Sequence, residues 1–110
     1  MDKDVQIFLQ HILLSIESIA TYTKNISKED FLNSPQVQDA VMRQLEVLGE
    51  AVKNLPSEFK EKNPTIPWRS IAGMRDMLIH EYFGVDIGLV WNTVINDLPV
   101  LRDFIKKTLE

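Results

Sequence analysis

Between residues 75 and 82 the chain reads Arg-Asp-Met-Leu-Ile-His-Glu-Tyr, and side chains suited to work on a phosphodiester are concentrated there. Arg75 offers a planar fork of donors that matches two phosphate oxygens. His80 can exchange a proton near neutral pH. Tyr82 brings a hydroxyl and a stacking face. Asp76 and Glu81 add carboxylates beside these groups. The plain alternative is a helix end, where a cation near the C-terminus is favoured by the helix dipole alone.

Other chemistries find less support. The chain has no cysteine, which removes disulfides, thiolate nucleophiles and cysteine-held metals. Its two histidines, His11 and His80, are far apart, and no metal-ligand spacing surrounds them. The four glycines (49, 73, 84 and 88) are scattered and form no phosphate loop. No metal and no cofactor are expected. A serine triad lacks its usual local context. His11 borders an apolar stripe and is read as a boundary residue.

Helix geometry complicates the 75–82 cluster. Each residue turns the helix by about 100°. Arg75 and Tyr82 therefore fall nearly on one face, whereas Arg75 and His80 diverge by about 140°. One straight helix does not join Arg75 to His80. Three routes remain open. The helix could unwind near His80, the arginine could curl around it, or a second subunit could bring its own copy across a twofold axis.

A second cluster lies upstream. Glu46 and Glu50 are four apart, share a helix face and repel mildly. Gly49 between them costs a helix interior up to about 1 kcal/mol relative to alanine. Close approach of another backbone would explain it. The expectation is that the helix carrying Arg69 and Arg75 crosses at Gly49, and that one of these arginines neutralises a glutamate. The alternative is a solvated acidic face.

The elements that must position these groups are helices. Val5, Phe8, Leu9, Ile12, Ile16, Ile19 and Ala20 form one stripe over residues 2–25. Ser27 starts a short piece, with Glu29 and Asp30 in its first turn. Ser34-Pro35 opens a long helix carrying Val37, Val41, Leu45, Leu48, Val52 and Leu55. Residues 57–62 suit one more turn. Pro64 and Pro67 forbid a continuous helix between them. A helix over 67–81 then presents Trp68, Ile71, Ala72, Met74, Leu78 and Ile79, with Gly84 as terminator. Asp86 caps a last stretch with Ile87, Trp91, Val94, Leu98, Leu101, Ile105 and Leu109. Pro99 should kink that stretch or divide it near Asp97, with Asp97 capping the second part. Strand signals are nearly absent, with no convincing alternating run and no Asn-Gly or Asp-Gly hairpin turn. The expected fold is all-α, an up-and-down bundle of four to five helices.

The 110 residues fit a single domain, 1–110. So small a core leaves little stability to spare, which makes a homodimer attractive. No apolar run reaches the roughly 20 residues that span a bilayer. No secretory leader opens the chain, so a cytoplasmic protein without membrane association is expected. The net charge of −4 argues against indiscriminate nucleic-acid binding but leaves room for a local basic site.

Arg75-x4-His80-x-Tyr82 resembles the Arg-x4-His-x-Tyr motif of the HEPN superfamily, and more narrowly that of HepT-type toxins. The likeness extends along the chain. Gln44-Leu-Glu-Val-Leu-Gly49-Glu50-Ala51 is similar to the family's glycine-glutamate-alanine segment. Pro67-Trp68-Arg69-Ser-Ile-Ala-Gly73-Met-Arg75 is similar to its approach to the motif, and Val90-Trp91 through Asp97-Leu98-Pro99 to its closing helix. The resemblance implies a HEPN-like bundle that pairs as a homodimer, with two motif copies facing one cleft. It implies metal-independent cleavage of RNA, such as tRNA or mRNA, with Arg75 and His80 catalytic. Asp76 and Tyr82 would position the substrate. Glu46, Glu50 and Arg69 would support them. It further implies a partner antitoxin, a nucleotidyltransferase of the MNT type, which adds AMP to Tyr82 in a type VII-like toxin–antitoxin pair. Asp76 departs from the family's pattern, where asparagine is common, and brings negative charge near an RNA backbone. The contrasting reading is a non-catalytic dimeric module that binds a nucleotide or the nucleotidyltransferase.

Overall fold

The computed structural model describes residues 1–81 and 83–110, and all regular structure among them is helical. Helix α1 (Lys3–Tyr22) begins where the Asp2 carboxylate accepts the backbone N–H groups of Asp4 and Val5. Its stripe of Val5, Leu9, Ile12, Ile16 and Ile19 is buried. Ala20, expected in that stripe, is exposed. Ser27 and Asp30 cap each other's backbone at the start of α2 (Lys28–Leu32), which buries Phe31. Ser34 caps α3 (Pro35–Asn54), with Pro35 in the first turn as the spacing predicts. Val41, Leu45, Leu48, Val52 and Leu55 are its buried side, and Gly49 is buried with them.

After the short α4 (Ser57–Glu61), α5 (Trp68–His80) lacks a side-chain cap. Its start is fixed instead by Trp68, whose indole N–H donates to the Asn63 carbonyl at 2.9 Å. The Trp68 ring also meets Phe104 edge-on, and Phe59 packs against both. Ile71, Met74 and Leu78 are buried. Ile79 was expected beside them but is 44% exposed. Adjacent helical residues point about 100° apart, and α5 is turned so that Leu78 faces the core and Ile79 faces out. The helix ends at His80, ahead of Gly84. Gly84 lies in the turn that follows, without positive φ, and donates its N–H to the Glu81 carbonyl. It is therefore not the terminator.

Asp86 caps α6 (Ile87–Asn92) by accepting the Leu89 N–H. A π-helical turn over Thr93–Asp97 joins α6 to α7 (Leu98–Leu109), with Pro99 in the first turn of α7. The division falls near Asp97, as expected, but Asp97 does not cap α7. Its carboxylate accepts the Ser70 hydroxyl at 2.9 Å and ties the π turn to α5. The wider turn accommodates the ring and missing donor of Pro99 without ending the helix.

The packing order places α3 at the centre of the site. Helix α1 packs on α3 and α7, and α3 packs in turn on α5. Trp91 stacks on Phe31 with ring centroids 5.1 Å apart, which fastens α6 to α2. Burying each of the core Leu, Ile and Val side chains contributes roughly 1.5–3 kcal/mol before chain entropy is set against it. The result is an all-α, HEPN-like bundle. No described helix is long and apolar enough to cross a membrane.

Candidate functional site at the crossing of α3 and α5

Helices α3 and α5 touch where α3 has no side chain. A Cβ at Gly49 would collide with Cβ of Arg75 and stand 2.9 Å from its Cγ. The helix-propensity cost of Gly49 is thus the condition for a close crossing. It also fixes the root of Arg75 against α3, so that its guanidinium emerges at the surface 23% exposed.

Two carboxylates hold that guanidinium. Nη2 lies 2.8 Å from Oε2 of Glu50, one residue beyond the glycine. Nη1 donates to Oδ1 of Asp76 at 3.1 Å. The same Asp76 oxygen accepts from Nζ of Lys53 at 3.0 Å. Cations and carboxylates therefore alternate along Lys53, Asp76, Arg75 and Glu50. The hydrogen bond from Lys53, and then that from Arg75, hold the Asp76 carboxyl below the usual aspartate range. Asp76 thus stays ionised at neutral pH. Its negative charge faces two cations of this chain.

The supporting residues divide. Of the two arginines expected to neutralise a glutamate, Arg75 does so and Arg69 makes no ion pair among the described residues. Glu46 pairs weakly with Arg43 at 3.5 Å instead. A hollow of about 340 Å³ opens over the crossing, lined by Arg43, Glu46, Val47, Glu50, Arg75 and Ile79. The exposure of Ile79 belongs to this opening.

His80 stands apart from these groups. It occupies the last turn of α5, exposed, with no side-chain partner among the described residues. The helix remains regular through His80, so it does not unwind early enough to turn His80 toward Arg75. The arginine does not curl around either, because Glu50 and Asp76 engage it. Two of the three routes open to the sequence are thereby closed within one chain. Tyr82 lies outside the described residues.

The family model described as ribonuclease HepT-like matches residues 12–108. The chain belongs to the ribonuclease HepT-like family. Its curated relatives include a gamma-glutamylcyclotransferase and candidate RNase of Methanocaldococcus jannaschii, 54% identical over the whole of this chain, which spans half of that protein. A candidate RNase of Caldanaerobacter subterraneus is 48% identical over 94% of this chain and 92% of its own. A probable ribonuclease HepT of Thermococcus cleftensis is 47% identical over 97% of each. No solved structure is a significant match.

For this HepT-like chain, the match covers both sides of the crossing, Gly49-Glu50 on α3 and Arg75 on α5. One member of the charged chain was not foreseen. Lys53 is 23 residues from Asp76, so no local spacing links them. The available signal was its place one turn beyond Gly49, on the helix expected to meet the arginine.

Proposed function

We propose that this protein is the toxin of a type VII-like HepT/MNT pair, working in the cytoplasm as a metal-independent endoribonuclease. Its site is a cleft between two copies of the chain. The observation that carries the reading is the separation within α5. Arg75 is rooted at Gly49 and held by Glu50, while His80 is exposed at the helix end with no side-chain partner among the described residues. On this reading the two halves of a phosphodiester site stand on one helix without meeting, and a twofold axis would bring each to the other's copy.

The chemistry then follows from the residue types. One His80 takes the proton of a ribose 2′-hydroxyl, and the 2′-oxygen attacks the adjacent phosphorus. The bond from phosphorus to the 5′-oxygen breaks, and that oxygen takes a proton from the second His80. The products end in a 2′,3′-cyclic phosphate and a 5′-hydroxyl. Arg75 stabilises charge that develops on the phosphoryl oxygens. Asp76 and Glu50 aim the guanidinium, and Tyr82 positions RNA by hydrogen bonding or stacking. Family membership and the RNase names of the relatives support the substrate class. Incubating wild type and His80→Ala with total RNA and tRNA in EDTA tests it. Cyclic-phosphate products that vanish in His80→Ala are expected. Full activity in that variant, or an absolute need for a divalent metal, overturns the reading.

Control would act at Tyr82. Its oxygen attacks the α-phosphorus of ATP on the MNT-type partner, AMP is joined to the ring oxygen, and pyrophosphate leaves. The added phosphate and nucleoside oppose RNA entry by repulsion and occlusion. A mass increase in Tyr82→Phe after treatment with the partner and ATP would refute this assignment.

One observation favours a second reading. The Arg75 cation is already matched by Glu50 and Asp76, as suits a non-catalytic module that binds a nucleotide or the nucleotidyltransferase. Purified protein without RNase activity that still forms a tight complex with such a partner would decide for it.

A further inference from the structure

A second hollow, of about 390 Å³, adjoins the one over Arg75. The two share Arg43 and Glu46 as their dividing wall. The second hollow differs in character. Met42, Leu78, Val85 and Ile87 give it an apolar interior, and its volume lies within the ~300–1,000 Å³ usual for small-ligand sites. The Phe83 side chain, 98% exposed, also lines it and adds an aromatic residue to the wall. Asp39 lies on the same hollow and makes no ion pair or side-chain hydrogen bond among the described residues.

These features match the parts of a nucleotide. A base needs apolar or aromatic surfaces against its faces and hydrogen-bonding groups along its edge. An ionised carboxylate accepts and does not donate. Asp39 therefore selects a base edge that carries donors. Guanine presents two adjacent donors, N1–H and N2–H, which one carboxylate can accept together as it accepts an arginine fork. Uracil presents a single N–H between two carbonyl oxygens, which a carboxylate repels. The Arg43–Glu46 pair, only 3.5 Å and exposed on its arginine side, lies between the two hollows. A phosphate beside Arg75 and a base beside Asp39 would occupy neighbouring hollows of one surface.

We propose that the hollow lined by Met42, Leu78, Val85 and Ile87 is a nucleobase subsite, with Asp39 selecting guanine. This rests on the ribonuclease reading for its biological substrate, but the binding itself can be tested apart from cleavage. The probes are the four ribonucleoside monophosphates, titrated into full-length His80→Ala protein carrying labelled methyl groups. GMP should shift the methyl signals of Met42, Leu78, Val85 and Ile87 and bind at least about tenfold tighter than UMP. Asp39 is exposed on α3, so Asp39→Asn should keep the helical spectrum and lose that preference. Met42→Glu, which adds a carboxylate to those of Asp39 and Glu46 in the hollow, should abolish the methyl shifts of Leu78, Val85 and Ile87. Equal binding of GMP and UMP, or shifts confined to residues beyond this hollow, overturns the subsite. In the wild type, cleavage should occur next to guanosine. His80-dependent cleavage without a guanine preference in binding removes the subsite and leaves the ribonuclease reading. GMP binding here in a protein that cuts no RNA keeps the subsite and removes that reading.

Discussion

Gly49 of α3 lies directly beneath Arg75 of α5, so closely that the β-carbon of one position excludes a β-carbon at the other. Alanine is the better helix former by up to about 1 kcal/mol, yet Gly49→Ala should destabilise the protein. The obstructing atom is attached to the α5 backbone, so relief requires the helices to part. Overpacking of this kind costs about 1–3 kcal/mol and outweighs the propensity gain. Urea unfolding should show a net loss. A more stable Gly49→Ala variant would show that the crossing is loose.

The Arg75–Glu50 pair predicts a different pattern. Glu50 is about half exposed, so solvent screens the pair, and Glu50→Gln should change stability by no more than about 1 kcal/mol. Its effect on cleavage should be larger, because the carboxylate aims the guanidinium at 2.8 Å. Turnover should fall while protein stability hardly moves, and Glu50→Asp should not restore it, since the shorter side chain does not reach. Unaltered kinetics in Glu50→Gln would reduce the pair to surface decoration.

Lys53 should govern the titration of Asp76. Its hydrogen bond is the first cause of the lowered carboxyl pKa. A depressed acid contributes stability above its unfolded value, about 3.9, and that contribution disappears as pH falls through the lower folded value. Lys53→Met should raise the Asp76 pKa, followed by carboxyl-carbon NMR. The stability difference between wild type and Lys53→Met should be present near neutral pH and shrink below about pH 4. An unchanged Asp76 titration would assign the shift to Arg75 alone.

These pairs also show what a linear reading reaches. The stripes of α1 and α3 and the caps at Ser27, Ser34 and Asp86 were legible because each depends on residues within one or two turns. The contact of α5 with Gly49 was legible for another reason. A glycine in a helix interior is a local cost that needs a nonlocal cause. Three features were not. Lys53 meets Asp76 through the crossing, Asp97 serves Ser70 rather than its own helix, and Ile79 faces out beside a hollow. Each depends on how far two helices are rotated against each other, and periodicity gives a face without that angle.

The separation of Arg75 and His80 along α5 leads to a test by complementation. If each site takes Arg75 from one copy and His80 from the other, Arg75→Ala and His80→Ala homodimers both lack every complete site. Mixing them after dissociation should restore cleavage. Half of randomly formed pairs are mixed, and one of the two composite sites in each is intact, so at most about a quarter of wild-type activity is expected. That figure assumes one intact arginine–histidine pair suffices. If the two His80 copies must divide the acid and base roles, the restored rate falls below it, and adding imidazole should raise it. Mixtures no more active than the separate variants, with or without imidazole, would remove the shared assignment of Arg75 and His80. The route would then have to be sought within one chain, against the engagement of Arg75 by Glu50 and Asp76.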